Sequence, residues 1–401
     1  MSTAPLVFPP QIAPAAGHAR NAAIGGGVLW AIGTLITPEQ GLRSYLFAYL
    51  FWLGVAIGCQ SILMIHHLSG GRWGLGIRRM LEAGSRTLKL AWVAFLPLAF
   101  GVTRVFPWTH SDAGDALLQK KLPYLNVPFF LGRAVFYFAA WALLAHFLSK
   151  WSLDRDRGGD ASLGDKLQGL AGGGLVLMGL TITFASVDWA MSLNPHWYST
   201  IYGVLFMVGQ TLSALAFMIV LLAFVGAEPP LASIVSKETI HDLGKLLFAF
   251  VMLWAYISLS QFLIIWSANL PEEIPWYIQR LSGGWQYVAI LLIVFHFALP
   301  FALLLSRELK RNTRVLALVA GGVFVLRLVD LFWLIAPDLK GGHGAHGPAG
   351  LSVHWLDIAA PVFLGGVWLS LFARELVSRA LLTPGDPELQ DILAQGEASH
   401  S

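Results

Sequence analysis

The amino-acid sequence predicts an all-α polytopic membrane protein of about ten transmembrane helices, and three observations predict it. Of 401 residues, 56% are hydrophobic and only 12% are charged, with a mean hydropathy of +0.65, against roughly 45–50% and about 25% in soluble domains. Apolar stretches close to the ~20 residues that a helix needs to cross the hydrocarbon core recur along the chain. They lack the strict two-residue alternation of barrel strands, and lipid permits no third kind of spanning structure.

Taken in order, these stretches run 21–37, 43–66, 86–106, 126–148, 167–187, 200–225, 243–267, 284–305, 313–336 and 355–377. The first is the shortest and carries Gly25, Gly26 and Gly27, which membrane helices tolerate better than soluble ones. Ahead of it, residues 1–20 read as a retained tail, because prolines interrupt the apolar core that a signal peptide needs. Residues 21–379 form the transmembrane domain, and 380–401 read as a polar tail without structure of its own.

Positive residues near span ends favour the cytoplasm. With ten spans, 18 of the 26 lysines and arginines fall on the side of the N-terminus, five on the other, and Arg104, Arg133 and Arg327 within spans. This places both termini in the cytoplasm. The outward loops 188–199 and 268–283 read as ordered caps rich in Pro and Trp. The loop at 338–353 contains His343 and His346, a weak metal-binding pattern.

Several function classes are excluded. The single cysteine, Cys59, rules out disulfides within the chain, iron–sulfur clusters and c-type haem attachment. A net charge of +3 is too small for a nucleic-acid binder. Haem between helices would rest on His146 and His296, each alone on its span, whereas a four-helix haem site normally shows two histidines per helix or a set at matched depths.

A charge at mid-membrane costs about 2.5–3.5 kcal/mol on insertion scales, so each ionisable group there needs a partner or a role. Arg327 and Asp330 are three residues apart on one helix face and can neutralise each other. Asp242 and Lys245 begin the seventh span, with Ser258, Ser260 and Gln261 further along it, His296 in the eighth span, and Asp188 and Asp357 toward the outer side. Such a ladder suits a proton route, and it equally suits separate satisfied groups. In TFASVDWAMSLNPHWYSTIYGV, Asp188 and His196 bracket Trp189, Trp197 and Tyr198: a carboxylate and an imidazole among rings could hold and deprotonate a quinol head group. The other reading is an aromatic belt around an Asn194-Pro195 turn that docks a peripheral subunit.

Three blocks, FWLGVAIGCQSILMIHHLSGGRWGLGIRRMLEAG, VDWAMSLNPHWYSTIYG and QFLIIWSANLPEEIPWYIQRLSGGWQ, occur in this order. Together they make residues 20–380 resemble the F membrane subunit of alternative complex III, a bacterial quinol:cytochrome c oxidoreductase. The resemblance implies two four-helix bundles with flanking helices, as in polysulfide-reductase-type membrane subunits, in a bacterial inner membrane. It also implies partners: an iron–sulfur protein, a multihaem cytochrome c and a sister membrane subunit, which carry the redox centres. This chain would bind no cofactor covalently, with quinol at or near it and proton half-channels as a proposed role. From the residues alone, a free-standing secondary transporter and a purely structural membrane subunit stay open. Against the transporter, no pair of Gly/Pro-interrupted spans occupies corresponding positions.

Overall fold

A computed structural model describes residues 9–110, 114–158, 160, 162–340 and 350–398. Among them there are helices and turns and no strand. Eight helices are long and apolar enough to cross a membrane, and the other two expected spans are helical with departures.

Helix α1 (Ile12–Ile36) begins inside the segment read as a tail and ends against Pro38, which opens α2 (Pro38–Ser69); proline there lacks only an N–H that the first turn would leave unpaired. The third stretch is not one continuous span. Helix α3 (Arg78–Arg86) ends where that stretch begins, and the stretch itself is a tight turn over Thr87–Leu90, α4 (Ala91–Phe100) and the single turn α5 (Val102–Val105). Pro97 inside α4 and Gly101 after it account for the later break. After a short α6 (Ala116–Lys121) come α7 (Val127–Asp156), α8 (Ser162–Trp189) and α9 (Tyr202–Val225). The Asn126 side chain accepts the Phe129 N–H at 3.0 Å, capping α7.

Helix α10 (Lys237–Ala268) is capped by Ser236 and ends at Asn269, whose φ of 51° turns the chain into α11 (Ile274–Arg280). The eighth span is α12 (Trp285–Leu291), a π-helical turn over Leu292–Ala298, and α13 (Leu299–Leu305). A short α14 (Arg307–Arg311) leads to α15 (Thr313–Lys340) and α16 (Leu356–Val377). The C-terminal segment, expected to lack structure, forms α17 (Pro387–Ala398).

The helices pack as two four-helix bundles. The first is α2, α3–α4, α7 and α8; the second is α9, α10, α12–α13 and α15. Contacts of α9 with α2 and α8 join them, and α1 and α16 flank α2. Helix α2 is therefore enclosed, with 94% of its most apolar window buried. Close approach of α2 to α9 depends on Gly58, where a Cβ would sit 2.2 Å from the Gln210 carbonyl oxygen. Lipid gives no hydrophobic drive for helix association, so this backbone proximity and its van der Waals contacts supply much of the cohesion.

Candidate functional site

The second bundle holds a buried polar chain built on the π-helical turn. One extra residue per turn widens the helix, an irregularity frequent at functional sites, and here it directs His296 inward until none of it is exposed. The imidazole meets the Trp254 ring edge-to-face, with centroids 4.4 Å apart, and neither ring nitrogen has a hydrogen-bond partner among the described residues. Trp254 donates its indole N–H to Asp330 at 3.2 Å. Asp330 is ion-paired to Arg327 one turn earlier on α15, and Arg327 Nε donates to the Gly209 carbonyl at 3.2 Å. The bare backbone at Gly209 leaves the guanidinium room, since a Cβ would stand 2.0 Å from it. Four helical segments thus converge on one mid-membrane group. Chemically, a free imidazole next to a neutralised ion pair can take up a proton only by placing a second cation beside Arg327.

The structure does not extend this chain to Asp242 and Lys245. Those two pair with each other at 2.9 Å on the exposed start of α10. Twelve residues separate Asp242 from Trp254, about 18 Å along a helix, and 246–253 between them is apolar. Among the described residues the expected ladder is therefore a set of separate groups.

Asp188 and His196 likewise do not share a site. Asp188 is fully buried and held by Arg133 through two bonds of 2.9 and 2.7 Å and by the Tyr137 hydroxyl at 2.8 Å. Arg133 in turn stacks over Tyr124, 3.7 Å from the ring centre. His196 is exposed and bonds Asp115 at 2.7 Å. The Leu118 backbone N–H and His196 hold that carboxyl below its usual value. The carboxylate and imidazole read as one quinol-binding pair are thus two structural contacts. Asp357 accepts from Ser44 at 2.6 Å, Gln40 at 3.0 Å and the His354 N–H at 2.9 Å, tying the start of α16 to α2.

Other placements settle smaller questions. His146 is exposed on α7 in the first bundle, while His296 is buried in the second, so they cannot ligate one haem. His343 and His346 lie outside the described residues. No three His, Cys, Asp or Glu side chains converge as metal ligands among the described residues.

Two networks escaped the sequence reading. Arg280, assigned to an outer loop, is fully buried, ion-paired to Asp338, bonded to the Leu334 carbonyl at 2.6 Å and stacked 3.5 Å over Trp276. At the end of the bundle where α1 begins and α16 finishes, Glu82 is buried between Arg78 and Arg79 and accepts from Ser152 at 2.6 Å. Burial pushes the Glu82 carboxyl up, but Arg79, Arg78 and Ser152 outweigh it and hold it at about 2. Asp386 from the C-terminal segment pairs with both Arg78 and Arg155, and Glu388 accepts the Gly71 N–H at 2.9 Å. The run of basic residues in the first block was the available signal: several arginines beside a buried helix require carboxylates.

Compared with known proteins, the chain matches no family model and no curated protein. The architecture and the polar chain on the π-helical turn therefore carry the functional argument together with the sequence blocks.

Proposed function

We propose that this chain is an integral-membrane subunit of a quinol-oxidising respiratory complex of the alternative complex III kind, seated in the bacterial inner membrane with both termini in the cytoplasm. It carries no redox centre of its own and works with an iron–sulfur protein, a multihaem cytochrome c and a sister membrane subunit. The observation that carries this reading is the His296–Trp254–Asp330–Arg327 chain. A titratable ring buried without a hydrogen bond is costly, and a subunit that responds to protons released when quinol is oxidised has a use for it. The sequence blocks supply the identity of the complex, and the two bundles with flanking helices agree with what the resemblance implies.

In this role the second bundle handles protons, while the three resembling blocks hold the scaffold through α2, Asp188 and Arg280. The exposed His196–Asp115 pair, with Tyr198 beside Lys121, belongs to a surface that suits a peripheral partner. The test is quinol-dependent reduction of cytochrome c by membranes carrying His296→Leu. The proposal expects an assembled complex with reduced turnover and an altered pH profile. Full turnover with an unchanged profile would remove His296 from the function.

A further inference from the structure

The break in the third span leaves a crevice that the proton-handling reading does not use. It is a narrow groove of about 60 Å³, open to the side, between α2, α4 and α16. Its walls include Tyr49, Trp52, Ala94, Val367 and Leu371. The polar atoms in these walls are already engaged. Tyr49 donates its hydroxyl to the Ala91 carbonyl at 3.3 Å, Trp52 its indole N–H to the Pro361 carbonyl at 2.9 Å, and Trp368 its indole N–H to Thr87 at 3.0 Å. A ring that needs hydrogen-bond donors would find each of these three already committed, so the lining favours hydrocarbon. Left empty, it would forfeit the dispersion contacts that its aromatic walls offer.

One end of the crevice is cationic. Lys89 immediately precedes Leu90, which lines it, and Arg374 follows Leu371 by one turn on α16. Lys89 is half-buried and Arg374 exposed, and neither makes an ion pair or hydrogen bond among the described residues. Glu375, the carboxylate beside Lys89, is taken by Arg86 at 2.5 Å. An apolar groove whose lining is continued on two helices by an uncommitted cation has the chemistry that receives a phospholipid with an anionic head.

We infer that this crevice is a binding site for an anionic phospholipid, one acyl chain lying between α2, α4 and α16 and the phosphate held by Lys89 and Arg374. The lipid completes the third span where its helix is broken. The inference stands independently of the respiratory reading.

The experiment is native mass spectrometry of the full chain released from nanodiscs of equimolar phosphatidylglycerol and phosphatidylcholine. The wild-type protein should retain one phosphatidylglycerol with a preference on the order of tenfold or more, the scale expected for two cations at a surface. The double variant Lys89→Gln/Arg374→Gln should retain both lipids equally. Ala94→Phe, which fills the crevice, should lose the retained lipid, and helix content by circular dichroism shows that the variants are folded. Equal retention of the two lipids by the wild type would overturn the inference, as would retention unaffected by Ala94→Phe in a folded protein. Release of a co-purified isoprenoid quinone from the same crevice, in place of phospholipid, would overturn it as well.

Discussion

Asp188 receives three hydrogen bonds from two side chains and has none of its surface exposed, so its loss leaves Arg133 without a counter-charge. Asp188→Asn should destabilise the protein by roughly 3–5 kcal/mol, the usual cost of orphaning one member of a buried pair, read as a lowered unfolding temperature in detergent. For Arg327 and Asp330, each single neutral variant should be similarly costly and Arg327→Met/Asp330→Leu milder than either, a non-additivity that a double-mutant cycle measures. Glu82 makes a pH prediction. Its carboxyl lies at about 2, below its ordinary 4.5, so its contribution is complete above pH 4.5 and is lost as pH falls toward 2, on the order of 3 kcal/mol over that window. Glu82→Gln should flatten the acid limb of a stability–pH curve there. Part of this was legible. Arg133 stood out as an intramembrane arginine, and seven residues into α7 it faces the last residues of the antiparallel α8, where Asp188 lies. Asp330 was legible from spacing alone. The partner of Asp386 was not, because 308 residues separate it from Arg78 and no local pattern encodes that contact.

Helices were legible wherever an unbroken apolar run exceeded the bilayer thickness, as in α2, α9 and α15. Two elements were not. The third span stays apolar through Pro97 and Gly101, where α4 gives way to α5, so hydropathy passes over a break made by backbone geometry. The C-terminal segment is polar enough to read as solvated, yet Leu381, Thr383 and Leu389 are buried and Asp386 caps the arginine cluster. The segment reads as a tail because its carboxylates pair with cations from distant helices. Truncation after Arg379 should therefore lower the unfolding temperature of the detergent-solubilised protein. Asp386→Asn alone should reproduce most of the loss, about 3–5 kcal/mol from leaving Arg78 and Arg155 uncompensated. An unchanged transition in the truncated protein would show that the arginine cluster does not need the segment.

At the scale of the molecule, the two bundles divide the work: the first is fastened by Asp188, Glu82 and their arginines, and the second encloses His296. The charge asymmetry of the loops predicts orientation. In a Cys59→Ala background, cysteines placed at 72 or 310 should be shielded from an impermeant thiol reagent in intact spheroplasts, and one at 196 or 272 should react. The respiratory reading is tested most directly by purifying the chain, tagged at its C-terminus, from native membranes in mild detergent and recording the reduced-minus-oxidised absorption spectrum of what accompanies it. The account predicts c-type haem bands in a fixed ratio to the tagged chain, iron–sulfur protein in the same particle, and quinol:cytochrome c reductase activity in that fraction. A folded tagged chain recovered by itself, with neither haem nor activity in the eluate, would contradict it.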